Sequence, residues 1–96
     1  MRIRLSKRAT KSFLSIKNYI EGKWGDLVAS AFEQKVIDFL DLLELFPEMG
    51  VIEVREKNIY GFQLTRQTRI FYRIKKETII VLVFFDTRQH PKKRPK

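Results

Sequence analysis

The chain has 96 residues, 44% of them hydrophobic, with eight Phe and no Cys. That is enough for one modest core and excludes disulfides and thiolate metal sites. Twenty Lys and Arg against eleven Asp and Glu give a formal charge of +9, which favours an anionic partner, either nucleic acid or an acidic protein. Neither a long apolar segment nor an internal repeat interrupts the pattern, so one domain spanning 1–96 with no membrane span is expected, in a reducing cytoplasm.

Met1 to Leu5 alternates Ile3 and Leu5 with Arg2 and Arg4, as a short strand does, and Ser6 is placed to cap a helix. From Lys7 to about Glu21, Ala9, Phe13, Ile16 and Ile20 recur at helical spacing. Gly22 and Gly25 punctuate the connection, Asp26 is the expected cap of a second helix, and Val28, Phe32, Val36, Phe39, Leu43 and Phe46 continue the period until Pro47. After the turn from Pro47 to Gly50, Val51 to Lys57 reads as a weak peripheral strand, and Asn58 marks the turn back.

The stretch from Tyr60 to His90 reads as three hairpin-linked strands. Ile70, Tyr72 and Ile74 alternate with Arg69, Arg73 and Lys75, giving a half-buried strand with a basic outer face. Thr78 to Phe85 is apolar at nearly every position, as an inner strand is. A two-residue loop at Lys76 and Glu77 pairs Lys75 with Thr78, and a loop at Arg66 to Thr68 turns Phe62 and Leu64 toward the core. Uninterrupted alternation then places Gly61, Gln63, Thr65, Arg69, Arg73 and Arg88 on one surface, beside Ile80, Leu82 and Phe84, with His90 just beyond. The tail, 91–96, is basic and proline-broken. The predicted architecture is α+β: an N-terminal strand and a helical hairpin packed on one face of a small antiparallel β-sheet, in the order β-α-α-β-β-β-β.

This order, with LSKRATKSFLSIKNYI, then WGDLVASAFEQKVIDFLDLLELFPEMG, then TRIFYRI and a hydrophobic strand ending in DTRQHP, resembles the RelE/ParE superfamily of toxins from bacterial type II toxin-antitoxin modules. The resemblance implies a toxin neutralised by a cognate antitoxin. RelE-like members cleave mRNA on the ribosome without a metal or cofactor, and ParE-like members inhibit DNA gyrase. Tyr19, Trp24-Gly25, Ala31-Phe32 and Pro47-x-x-Gly50 look ParE-like, whereas the carboxy-terminal half looks like a nuclease.

The nuclease reading is the expectation here, with gyrase inhibition as the alternative and a non-toxic basic binding module of the same fold as a third reading. It assigns Arg69 and Arg88 to the phosphate, because a guanidinium offers a planar fork of donors, and His90 to general acid catalysis. Glu53 or Glu56 would assist the proton; as ordinary surface charges they would instead pair with Arg55 or Lys57. Arg73, Gln63, Lys92 and Lys93 are the expected RNA-binding residues. The sequence departs from the family pattern where RelE carries two lysines, here Gly61 and Gln63, and where YoeB-like chains carry Tyr, here Gln89.

Overall fold

The computed structural model describes residues 1–89; the expectations for His90, Lys92 and Lys93 lie outside them. Strand β1 (Arg2–Leu5) leads into helices α1 (Lys7–Trp24) and α2 (Asp26–Leu45), followed by β2 (Val51–Val54), a 3-10 turn at Arg55–Lys57, β3 (Ile59–Gln63), β4 (Thr68–Lys75) and β5 (Thr78–Asp86). The five strands form one sheet in the order β1-β5-β4-β3-β2. Three of its pairings are antiparallel, and β1 joins β5 in parallel.

The helices form where capping and periodicity require them. The Ser6 hydroxyl accepts a hydrogen bond from the Ala9 N–H at 3.0 Å, satisfying one of the free donors of the first turn. Gly25, at φ 91°, closes α1 by donating its N–H to the Glu21 carbonyl, and it also precedes α2. Asp26 is therefore the first residue of α2 and makes no side-chain cap, contrary to expectation; it still sits where the helix dipole favours a carboxylate. The buried stripe of α2 is Ala29, Phe32, Val36, Phe39 and Leu43, while Val28 and Phe46 are exposed. The predicted stripe is thus right at its centre and wrong at both ends.

The hairpin packs on one sheet face through aromatic contacts. Phe13 stacks on Phe32 at 5.9 Å and meets Phe84 at 5.7 Å, and Phe39 stacks on Phe62 at 4.6 Å. Tyr72 is fully buried, yet its hydroxyl is satisfied: it donates to the Pro47 carbonyl at 2.8 Å and accepts from the Gly50 N–H at 2.9 Å. A Cβ on Gly50 would lie 2.8 Å from both the Tyr72 hydroxyl and the Gly61 carbonyl. The Pro47-x-x-Gly50 pattern is thus the seat on which the core tyrosine fastens the α2–β2 turn.

Two hairpins confirm the expected facing with different local detail. Lys75 pairs with Thr78 across a two-residue turn, with Lys76 at φ 57°. The β3–β4 turn is displaced: Gln63 pairs with Arg69, and the Leu64 N–H bonds the Thr68 carbonyl at 2.9 Å. Its loop is 65–67, which keeps the predicted parity of Gln63 and Arg69 but removes Thr65 from the sheet surface.

A β-bulge in β5 breaks the predicted alternation. Tyr72 pairs with Val81 and Phe71 with Val83, so Leu82 is an extra residue. Beyond it every side chain changes face. Phe84 and Asp86 turn inward and are buried, and Phe85, opposite Arg69, turns outward. The polar groups freed along this stretch meet α1: Ser6 donates its hydroxyl hydrogen to the Leu82 carbonyl at 3.0 Å, and Ser12 accepts from the Phe84 N–H at 2.9 Å.

Candidate functional site

Two arginine clusters flank the β3–β4 turn, on opposite faces of the sheet. On the open face Arg69 extends from β4 across β3 to Glu53 on β2 and forms an ion pair with it. Glu53 is itself the extra residue of a second bulge, because Ile52 pairs with Tyr60 and Val54 with Ile59. Gly61, midway between them, leaves the room: a Cβ there would lie 2.5 Å from Glu53 Oε2 and 2.7 Å from Arg69 Nη2. Arg69 Nη1 also donates to Gln63 Oε1 at 3.2 Å, and the guanidinium lies 5.7 Å from the Phe71 ring. A groove of about 540 Å³ opens beside this pair, lined by Arg66, Gln67, Phe71, Phe85 and Thr87 among others.

Glu53 therefore pairs with Arg69 rather than with Arg55 or Lys57, while Glu56 lies in the exposed 3-10 turn. Arg73 is on the same open face as Arg69, opposite Ile59 and Ile80.

Arg88 is not on that surface, which corrects the predicted grouping. The Leu82 bulge reverses the parity of the strand end, and Arg88 lies on the helix side, its guanidinium 5.6 Å from the Trp24 ring. It forms a two-pronged ion pair with Asp86, Nε to Oδ1 at 2.9 Å and Nη2 to Oδ2 at 2.6 Å. The fully buried Asp86 also accepts from the Thr68 hydroxyl at 2.6 Å and from the Arg88 N–H at 2.9 Å. Burial pushes the Asp86 carboxyl up, but these hydrogen bonds outweigh it and hold the group below its ordinary range. The same bond to Asp86 raises Arg88. Thr65 sits beside Arg88 on this side as well, its hydroxyl accepting from the N–H of Thr68 at 3.0 Å. Gln89 bonds the backbone and hydroxyl of Ser15 on α1.

Sequence reasoning missed Asp86 and Trp24 as partners of Arg88. The available signal was a carboxylate ending an apolar strand, since such a residue is buried only when paired. Among the described residues no cluster of His, Asp and Glu could hold a metal ion, and no helix is long and apolar enough to cross a membrane.

A helical hairpin on one face of a five-stranded sheet, in the order found here, matches the RelE/ParE-like fold. The model for the ParE toxin of the parDE type II toxin-antitoxin system matches residues 3–91, and the chain belongs to this family. Among solved structures, the chromosomal ParDE toxin-antitoxin system from P. aeruginosa is similar with a TM-score of 0.75 at 18% identity, covering 90% of this chain and 95% of that one. A YoeB/ParE toxin from Agrobacterium tumefaciens has a TM-score of 0.61 at 12% identity, covering 90% and 98%. The intact E. coli RelBE toxin-antitoxin complex has a TM-score of 0.54 at 17% identity, covering 88% and 94%. At these identities the structural likeness speaks for the fold alone. No curated protein sequence matches significantly.

Proposed function

We propose that this toxin, when free of its antitoxin, arrests growth by binding and inhibiting DNA gyrase rather than by cutting mRNA. The observation that carries this reading is the separation of the two arginines. Stabilising a phosphorane-like transition state needs donors converging on one phosphate, whereas Arg69 lies on the open face and Arg88 is held by Asp86 and Trp24 on the other. Membership of the ParE family supports the same side. The lysines with which RelE-like nucleases line the strand before Arg69 are replaced by Gly61 and Gln63, and among the described residues no lysine lines that groove to take the proton from a ribose hydroxyl. What remains is a basic surface suited to binding.

The nuclease reading keeps one observation in its favour: Glu53, Arg69 and Gln63 do come together on the open face. Gyrase supercoiling with purified full-length toxin, run beside mapping of mRNA 5′ ends on translating ribosomes, separates the two. Loss of supercoiling without new 5′ ends is the expected result. Intact supercoiling together with ribosomal A-site cuts that vanish in Arg69→Ala overturns it. The cognate antitoxin is proposed to neutralise the toxin by laying an acidic, amphipathic segment against it, a mode in which charge steers and apolar burial holds.

A further inference from the structure

From the geometry of the open face we infer that Glu53 is a specificity-determining residue: its carboxylate occupies the phosphate-binding fork of Arg69 and keeps the adjacent groove from taking single-stranded nucleic acid. The inference rests on the reading that this face does not cut RNA, and its test reads strand affinity rather than supercoiling. A guanidinium recognises phosphate by aligning neighbouring N–H donors on two oxygens. Here Nη2 is bound to Glu53 and Nη1 to Gln63. A phosphodiester must therefore compete with a carboxylate and an amide oxygen for the outer end of the guanidinium.

The arrangement is built rather than incidental. Strands in a sheet lie about 4.8 Å apart, so a side chain on β4 reaches one on β2 only by lying flat over β3. At that crossing the residue is Gly61, where a Cβ would stand 2.7 Å from Nη2 and 2.9 Å from Nε of Arg69. Gly61 does not have a left-handed backbone, so its role here is space and not conformation. Beside the pair, the groove offers what a nucleotide otherwise needs: the Phe71 ring for stacking and Arg66 for a second phosphate. The Arg69 fork is already engaged at Nη1 and Nη2, so a phosphodiester has to compete with Gln63 and Glu53 for it.

An exposed ion pair is worth about 0.2–1 kcal/mol, equivalent to as much as a fivefold penalty on a competing anion, and each added phosphate contact to a single strand steepens the salt dependence by about 0.7 in log–log slope. The test is fluorescence anisotropy of a labelled 12-nucleotide single-stranded RNA with full-length protein, as a function of salt. Glu53→Gln is compared with Glu56→Gln, which makes the same charge change in the exposed 3-10 turn away from Arg69. We expect Glu53→Gln to bind at least about threefold more tightly than Glu56→Gln, with a slope steeper by about 0.7. Glu53→Gln combined with Arg69→Gln should lose both gains. Equal affinities and slopes for the two single variants overturn the inference, as does a gain that survives loss of Arg69.

Discussion

Asp86 shows how one buried charge can organise the end of a strand. Its carboxylate has no solvent exposure, so it is tolerable only because Arg88 and Thr68 supply donors to both oxygens. Removing the charge while keeping the shape, in Asp86→Asn, should cost about 2–4 kcal/mol of unfolding free energy, because Arg88 is left without its counter-charge against α1. Urea denaturation measures this. The pH dependence has a definite sign. The folded-state pKa lies below the ordinary value of 3.8, so this stabilisation is complete above about pH 4 and fades as pH falls through the folded value. The wild type should therefore lose stability over that acid window, and Asp86→Asn should lose less.

At the scale of elements, the bulge in β5 matters more than any strand's propensity. Past Val81, β5 runs beyond its pairing with β1, and α1 takes over the exposed edge through the hydroxyls of Ser6 and Ser12. A helix thereby caps a strand edge that would otherwise present unpaired backbone groups. Ser12→Ala leaves the Phe84 N–H without its acceptor and should destabilise the fold by about 1 kcal/mol. The sharper readout is local: hydrogen exchange at the Phe84 amide should accelerate more than at the Ile70 amide on the neighbouring strand. Uniform acceleration across the sheet would mean that the serine supports global stability without pinning the bulge.

The whole molecule carries +9 on 96 residues, and the helices cover only one face of the sheet. Arg2 and Arg4 pair beside Thr78 and Ile80 on the open side, together with Arg69 and Arg73, so much of the charge borders a surface already rich in Phe71, Val83 and Phe85. Such a surface attracts an acidic partner over a distance and rewards it with apolar burial on contact. The association rate with an acidic antitoxin segment should fall by about tenfold between low and high salt while dissociation changes little; stopped-flow mixing at several ionic strengths checks this.

Local rules accounted for the helices, the strand order along the chain and the face of β4. Ser6, Gly25 and Pro47 act within a few residues of their positions, and the 3.6 and 2.0 periods of α1 and β4 reflect one buried side each. The same rules put Arg69, Gln63 and Gly61 on one surface, because short hairpins transmit parity faithfully. They failed at Arg88, Phe84 and Thr65 for a physical reason: alternation carries no mark of an inserted residue, and Leu82 is as apolar as its neighbours. The bulge is fixed by Ser6 and Ser12, 76 and 72 residues away from the groups they bond. The pairing of Glu53 with Arg69 likewise spans three strands and rests on the open space above Gly61, which becomes visible only once β2, β3 and β4 lie side by side.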